Sequence, residues 1–421
     1  MRIGLFDATL TSNRKVPAVC RRFCVLNPGL RPQTGYLCCC SKDESGMKIG
    51  ILTFPPHVNY GGIIQAYALQ TELERMGHEV VVFNKHKTFS HPLSLFWLKI
   101  YAKRLAHKIV KNHRAKVFTP KRRRWEWPII SQHTQRFIDT YIKSLYVEDL
   151  RKIGPDCCDA IVVGSDQIWR AAYCHDWTEN FADLFLEFTR GWNLRRVAYA
   201  ASFGTDEWET GEWMRRRCAR AAGMFNAVSV REDSGVAMCR DYLGVDAVHV
   251  LDPTMLLSPG DYARLYETAH TEKSSGSLCY YMLDNNEAKR ALVDRMAKER
   301  GLEPFTVMPL RGQRPVEERV YPPVEKWLRG FADAAMVLTD SFHGCVFSIL
   351  FGKPFVAVGN TGRGLARMQS LLHTFGLEDH LILSTAGYDA GRSYALSEEV
   401  GVRLDELREE ARAFLRSALE M

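Results

Sequence analysis

Apolar runs of four to seven residues alternate along the chain with segments whose apolar positions recur at helical spacing, and polar turns punctuate them. The pattern is clearest near the C-terminus. There Ala335-Met-Val-Leu-Thr339 reads as a buried strand, Thr339-Asp-Ser-Phe-His-Gly344 as a turn, and the following segment as a short helix ended by Gly352. A second strand resumes at Phe355. Such a unit belongs to a parallel sheet, where ligands sit beyond the carboxyl ends of the strands. Asp340 or Ser341 is placed to cap the helix, with His343 at the rim of an anion site made by its first turn.

The same alternation begins at Met47. Met47–Phe54 is expected to be the first strand, Ile63–Met76 a helix and His78–Phe83 a strand, with Asn59-Tyr-Gly-Gly62 as the turn between the first two. Further strands are expected at 159–164, 196–204, 225–230, 277–283 and 305–308. Helices are expected at 131–142, 206–222, 287–300, 324–330, 365–375 and 397–419. Several strands end in polar residues. Ser165, Asp166 and Gln167 follow one strand; Asp166 there is either a helix cap or a group that accepts a sugar hydroxyl proton. Arg231 follows another strand, where a guanidinium can grip carboxylate or phosphate with two parallel hydrogen bonds.

This order predicts an α/β protein of two Rossmann-like domains facing a cleft, at residues 47–265 and 276–395, joined by the polar stretch 267–277 and followed by a C-terminal helix at 396–421. Residues 1–46 show no periodicity and read as a disordered leader or an overlong gene start.

Composition is that of an ordinary globular chain, 46% hydrophobic and 25% charged over 421 residues. No apolar run reaches the length of a membrane span, and no secretory pattern opens the chain, so the expected location is the cytoplasm. The twelve cysteines are scattered or adjacent, which predicts reduced thiols and no paired zinc knuckle. Charge is uneven. Residues 84–125 carry thirteen Lys or Arg and no acid, so against a net +7 the rest of the chain, outside this basic insertion and 1–46, is acidic. An amphipathic helix at 94–111 would give peripheral contact with the inner face of the cell membrane; a solvated basic excursion is the alternative. Nothing resembles a groove-reading module, so nucleic acid is not an expected partner.

Taken together, Asn59-Tyr-Gly-Gly62 with Gln65-Ala-Tyr-Ala-Leu-Gln70, Gly164-Ser-Asp-Gln-Ile-Trp169, Ala200-Ala-Ser-Phe-Gly204, Ser229-Val-Arg-Glu-Asp233, Leu251-Asp-Pro-Thr254 and Thr339-Asp-Ser-Phe-His-Gly344 with Gly352-Lys-Pro354 resemble the polysaccharide pyruvyl transferase family. The resemblance implies a fold like the B-type glycosyltransferases and transfer of pyruvate from phosphoenolpyruvate to a sugar or lipid-linked glycan. The sequence gives no sign of an obligatory metal or redox cofactor. Arg231 and His343 match a family arginine and the family histidine; the working assignment built on them gives His343 and Asp166 to catalysis, and Arg231, Ser341, Gly344, Lys353 and Arg363 to the donor. Asn59, Tyr60, Gly61, Gly62, Gln65 and Gln167 fall to the acceptor. The sequence departs from the family pattern at Ser341, where many relatives carry arginine two residues before the histidine; Lys353, Arg363 or Arg367 are the candidate replacements. A nucleotide-sugar glycosyltransferase of the same fold and a non-catalytic glycan-binding protein are the competing readings.

Overall fold

The strands are short, apolar and covered on both faces, as Ala160–Val163, Met336–Thr339 and Phe355–Val358 illustrate, every residue of each being buried. Runs of this kind without alternation form parallel sheets covered by helices on both sides. A computed structural model describes residues 46–420 apart from 88, 90–98, 100, 104, 106–118, 285, 311–313 and 360–363. The expected leader at 1–46 and the amphipathic helix at 94–111 therefore lie essentially outside the described residues, as does Arg363.

Two parallel sheets account for the described strands. The first comprises β1 (Lys48–Leu52), β2 (Glu79–Asn84), β3 (Ser144–Tyr146), β4 (Ala160–Val163), β5 (Arg195–Ala201), β6 (Ala227–Val230) and β7 (Val248–His249), in spatial order β3-β2-β1-β4-β5-β6-β7. The second comprises β8 (Leu278–Tyr281), β9 (Pro304–Phe305), β10 (Met336–Thr339), β11 (Phe355–Val358) and β12 (Leu381–Ile382), in order β12-β11-β10-β8-β9. These are the two common doubly wound orders. Strand order reverses between β1 and β4 in one sheet and between β8 and β10 in the other, and each reversal opens a crevice at the carboxyl edge. The pairs Leu52↔Val163 and Thr339↔Tyr281 set those edges level.

Both sheets lie within one compact unit, Ser45–Met421. Tyr60 ties them: its hydroxyl donates to the Pro322 carbonyl at 2.7 Å and its ring stacks on Trp327 at 5.4 Å. The last helix, Glu398–Glu420, returns from the second half to the first. Val400, Leu404, Ala411, Leu415 and Ala418 bury one face of it, while Arg408 donates to the Met255 carbonyl and Arg412 to Glu72.

Several expected boundaries shift. The first helix is Tyr60–Arg75, so Gly61 and Gly62 belong to its first turn, because the Asn59 carbonyl already accepts from the Ile63 N–H. The helix expected from 206 begins at Glu212. The strand at 305–308 contracts to the edge pair Pro304–Phe305. A helix at Pro259–Thr268 was not expected; a Ser258–Asp261 capping box and proline in its first turn specify it. The basic run 121–124 lies on another, Thr119–Ile130.

Truncating Leu415, fully buried against the first half, is expected to lower unfolding free energy by about 2–5 kcal/mol. Urea denaturation of Leu415→Ala measures the loss.

Candidate active site

The reversal points bring the polar turns together. After β1 come Val58, Asn59 and Tyr60; after β4, Asp166 and Gln167; after β8, Leu283; after β10, Asp340, Ser341, Phe342 and His343. With Tyr173, Arg367 and Met368 these residues line a cavity of about 310 Å³ between the sheets, a size suited to a small ligand.

Beneath the cavity lies Asp252, fully buried and supplied by the Leu251-Asp-Pro-Thr254 turn. Its carboxylate accepts from Arg231 Nη1 at 2.8 Å, from the Thr254 N–H at 3.0 Å, from Thr254 Oγ1 at 2.7 Å and from Gln65 Nε2. Burial opposes the charge on Asp252, yet Arg231 and then His343 overcome it and hold the carboxyl below its ordinary range. His343 Nε2 is 3.9 Å from the same carboxylate, buried and without a hydrogen-bond partner. Burial strips water from the imidazolium and brings His343 down to about 4, with Arg231 acting in the same direction against Asp252. The imidazole is therefore neutral near pH 7. Gly61 is what lets the ring sit there, since a Cβ at 61 would collide with it.

Two guanidiniums flank the Phe342 ring. Arg231 Cζ is 4.6 Å and Arg367 Cζ 5.5 Å from its centroid, a cation–π arrangement that helps retain buried cations. Arg367 is brought down to about 10 by burial and then by Arg231. It faces the cavity, whereas Arg231 sits one layer back, its Nε and Nη2 without hydrogen bonds but Nη2 in an ion pair with Asp166 at 3.7 Å.

The residues picked out from sequence divide accordingly. His343, Asp166, Ser341, Asn59, Tyr60 and Gln167 all line the cavity, though the Tyr60 hydroxyl is already committed to Pro322 and Gln167 accepts from Arg170. Gln65 lies behind, bonded to Asp252 and Ser165, and does not reach the cavity as an acceptor ligand would. Gly62 packs beside Asp166, and Gly344 abuts Thr339, where a Cβ would clash with the hydroxyl; its role is close packing of helix on strand. Lys353, expected at the donor, does not line the cavity. It precedes β11, at the opposite edge of the sheet from the cavity, where Asp333 is its charged neighbour. Asp340 does not cap the helix Phe342–Leu350. It turns back to accept from the Leu283 and Asp284 N–H groups and from Lys289 Nζ at 2.5 Å, closing the second crevice. The role of Asp252 was missed; its signal was the Asp-Pro-Thr turn. Among the described residues no group of three or more His, Cys, Asp or Glu is placed to hold a metal ion, and no helix is long and apolar enough to cross a membrane.

Solved structures with related topology share little sequence. A UDP-glucosyltransferase from Polygonum tinctorium capable of glucosylating indoxyl is 11% identical, with 89% of this chain and 98% of that one covered and a TM-score of 0.41. UDP-GlcNAc 2-epimerase from Neisseria meningitidis is 10% identical, with 87% and 100% covered and a TM-score of 0.39. At those scores the likenesses carry no argument, and the two-sheet architecture stands on its own strand order. No curated protein matched the sequence. The family model for polysaccharide pyruvyl transferase matches residues 59–362, from Asn59 in the first crevice past His343 in the second. That span covers most of the chain, and the protein belongs to the polysaccharide pyruvyl transferase family.

Proposed function

We propose that the protein transfers pyruvate from phosphoenolpyruvate to two hydroxyls of a sugar in a cell-surface polysaccharide or its lipid-linked precursor, forming a ketal and releasing phosphate. The observation that carries this reading is the pairing of cavity-facing Arg367 with a buried, unpartnered His343 Nε2. The donor presents a carboxylate and a phosphate, and a guanidinium shielded from water binds either strongly. Arg367 occupies the cavity that Ser341 leaves without a cation, and it replaces Lys353 in the donor role. The open N–H positions of Arg231 lie beside Asp166 and add positive potential from below.

Burial keeps His343 neutral near pH 7. A bound trianionic donor offsets the burial cost of the imidazolium, so protonation follows binding, and the imidazolium can then deliver its proton to C3. Asp166, across the cavity, accepts the proton of the attacking hydroxyl as oxygen bonds to C2. The C2–O bond to phosphate breaks and a second hydroxyl closes the ketal. Of the two hydroxyl protons, one ends in the new methyl group and the other leaves with phosphate. Asn59 and Gln167 fall on the acceptor side of this arrangement.

Incubation with phosphoenolpyruvate and candidate glycans should release phosphate, and His343→Gln should slow release by about 100-fold or more. Arg367→Ala should raise the KM for phosphoenolpyruvate by about tenfold. Arg231→Lys is the informative change at 231, because alanine would strand Asp252 as a buried charge at a cost of about 3–5 kcal/mol. Full activity in His343→Gln and Arg231→Lys would remove the assignment.

The lowered pKa of His343 also makes a stability prediction. The folded protein holds the neutral ring from its ordinary 6.5 down to about 4, so its stabilising contribution is complete above pH 6.5 and is lost as pH falls through that interval. The full effect is roughly 3 kcal/mol. Denaturation at pH 7 and pH 4.5 should show a smaller loss in His343→Gln than in the wild type by about 2 kcal/mol.

A further inference from the structure

The helix Thr119–Ile130 is held to the body of the protein along one side. Glu126 forms an ion pair with Arg319 at 2.7 Å, Trp127 stands edge-on to His57 at 6.1 Å, and the Ile130 carbonyl accepts from the Tyr321 N–H at 3.0 Å. At about 100° per residue, positions 125 and 129 fall about 160° from 127 and about 40° from each other, on the opposite side. Trp125 is 77% exposed and Ile129 42%, and Pro128 beside them is exposed as well. A lone apolar residue at a surface calls for no partner, but here an indole and an isoleucine stand one turn apart on the free side of one helix.

Charge completes the pattern. Lys121-Arg-Arg-Arg124 directly precedes Trp125, Arg124 is exposed, and the single acid of the helix, Glu126, is paired with Arg319. Tryptophan beside clustered cations suits the headgroup layer of an anionic bilayer, where the indole sits between water and hydrocarbon and the cations meet lipid phosphates. Nucleic acid would satisfy the cations but offers no hydrocarbon to Ile129. The helix also adjoins the site described above. Tyr321, bonded to its last carbonyl, lines the cavity that holds His343 and Arg367, and the Tyr321 ring lies 5.9 Å from that of Tyr60.

We propose that the helix Thr119–Ile130 docks the protein on an anionic phospholipid surface, with Trp125 and Ile129 in the headgroup layer and the basic run 121–124 against lipid phosphates, so that the adjoining cavity takes a lipid-linked acceptor from that surface. The identity of the acceptor rests on the pyruvyl-transfer reading; the docking does not.

Co-sedimentation of the full chain with vesicles tests the docking. Phosphatidylcholine vesicles containing about one-third phosphatidylglycerol should bind at least about tenfold more tightly than phosphatidylcholine alone, and less tightly as salt rises from about 0.1 M to about 0.5 M. Arg124→Glu should weaken binding about fivefold or more. The pair Trp125→Ala and Ile129→Ala should weaken it about tenfold or more, while Trp125→Phe retains most of it. With a glycan lipid-linked in the anionic vesicles the alanine pair should raise KM about tenfold, and with a lipid-free glycan phosphate release should be unchanged. Wild-type sedimentation of Arg124→Glu and of the alanine pair, or no preference for anionic vesicles, overturns the proposal. So does a Trp125-dependent dimer without vesicle binding, which gives the face to a second copy, or a short DNA duplex bound where vesicles are not. Trp125-dependent vesicle binding without phosphate release from phosphoenolpyruvate supports the docking surface and removes pyruvyl transfer. Phosphate release without vesicle binding does the reverse.

Discussion

The site depends on one buried carboxylate. The Asp252 side chain is fully buried, and a charge in that position persists only if its partners replace water. Arg231, Gln65, the Thr254 backbone and the Thr254 hydroxyl do so, from β6, the first helix and the Asp-Pro-Thr turn. Satisfying this group fixes three elements relative to one another. It also sets the field in which His343 sits, because the same carboxylate that draws Arg231 inward lies 3.9 Å from the imidazole.

The balance at His343 is one of magnitude. Asp252 and Asp166 favour the imidazolium, but burial and Arg231 disfavour it more strongly, and the ring stays neutral. An anion entering the cavity adds to the weaker side. A residue poised in this way can change protonation when substrate binds, which is what an acid that acts late in the binding sequence requires.

Placement of that chemistry rests on the two strand-order reversals. Each sheet by itself offers half a cavity; the Tyr60 hydroxyl on Pro322, the Tyr60 ring on Trp327 and the Arg136–Glu325 pair hold the two edges face to face. The terminal helix adds a return contact through Arg408 and Arg412. Tyr60, expected from sequence on the acceptor side, lines the cavity and also ties the two halves.

The apolar runs and polar turns by themselves determined the order of most strands and helices and the set of turns gathered at one edge, because parallel βα units write their periodicity locally. Glu287–Arg300 matches its expected span to the residue, and His343 and Asp166 were legible as residues that follow buried strands. Boundaries at Tyr60 and Glu212 were not, since they depend on which carbonyl accepts the first helical bond. Tertiary structure alone decided which cations line the cavity. Lys353 and Arg367 are both basic residues near the same turn in sequence, but the helix Phe342–Leu350 carries the chain from one edge of the sheet to the other, leaving Lys353 far from the cavity, and the next helix brings Arg367 back to it. The same holds for Asp252: its depth, and hence its hold on Arg231 and His343, comes from how the first sheet and its covering helices pack.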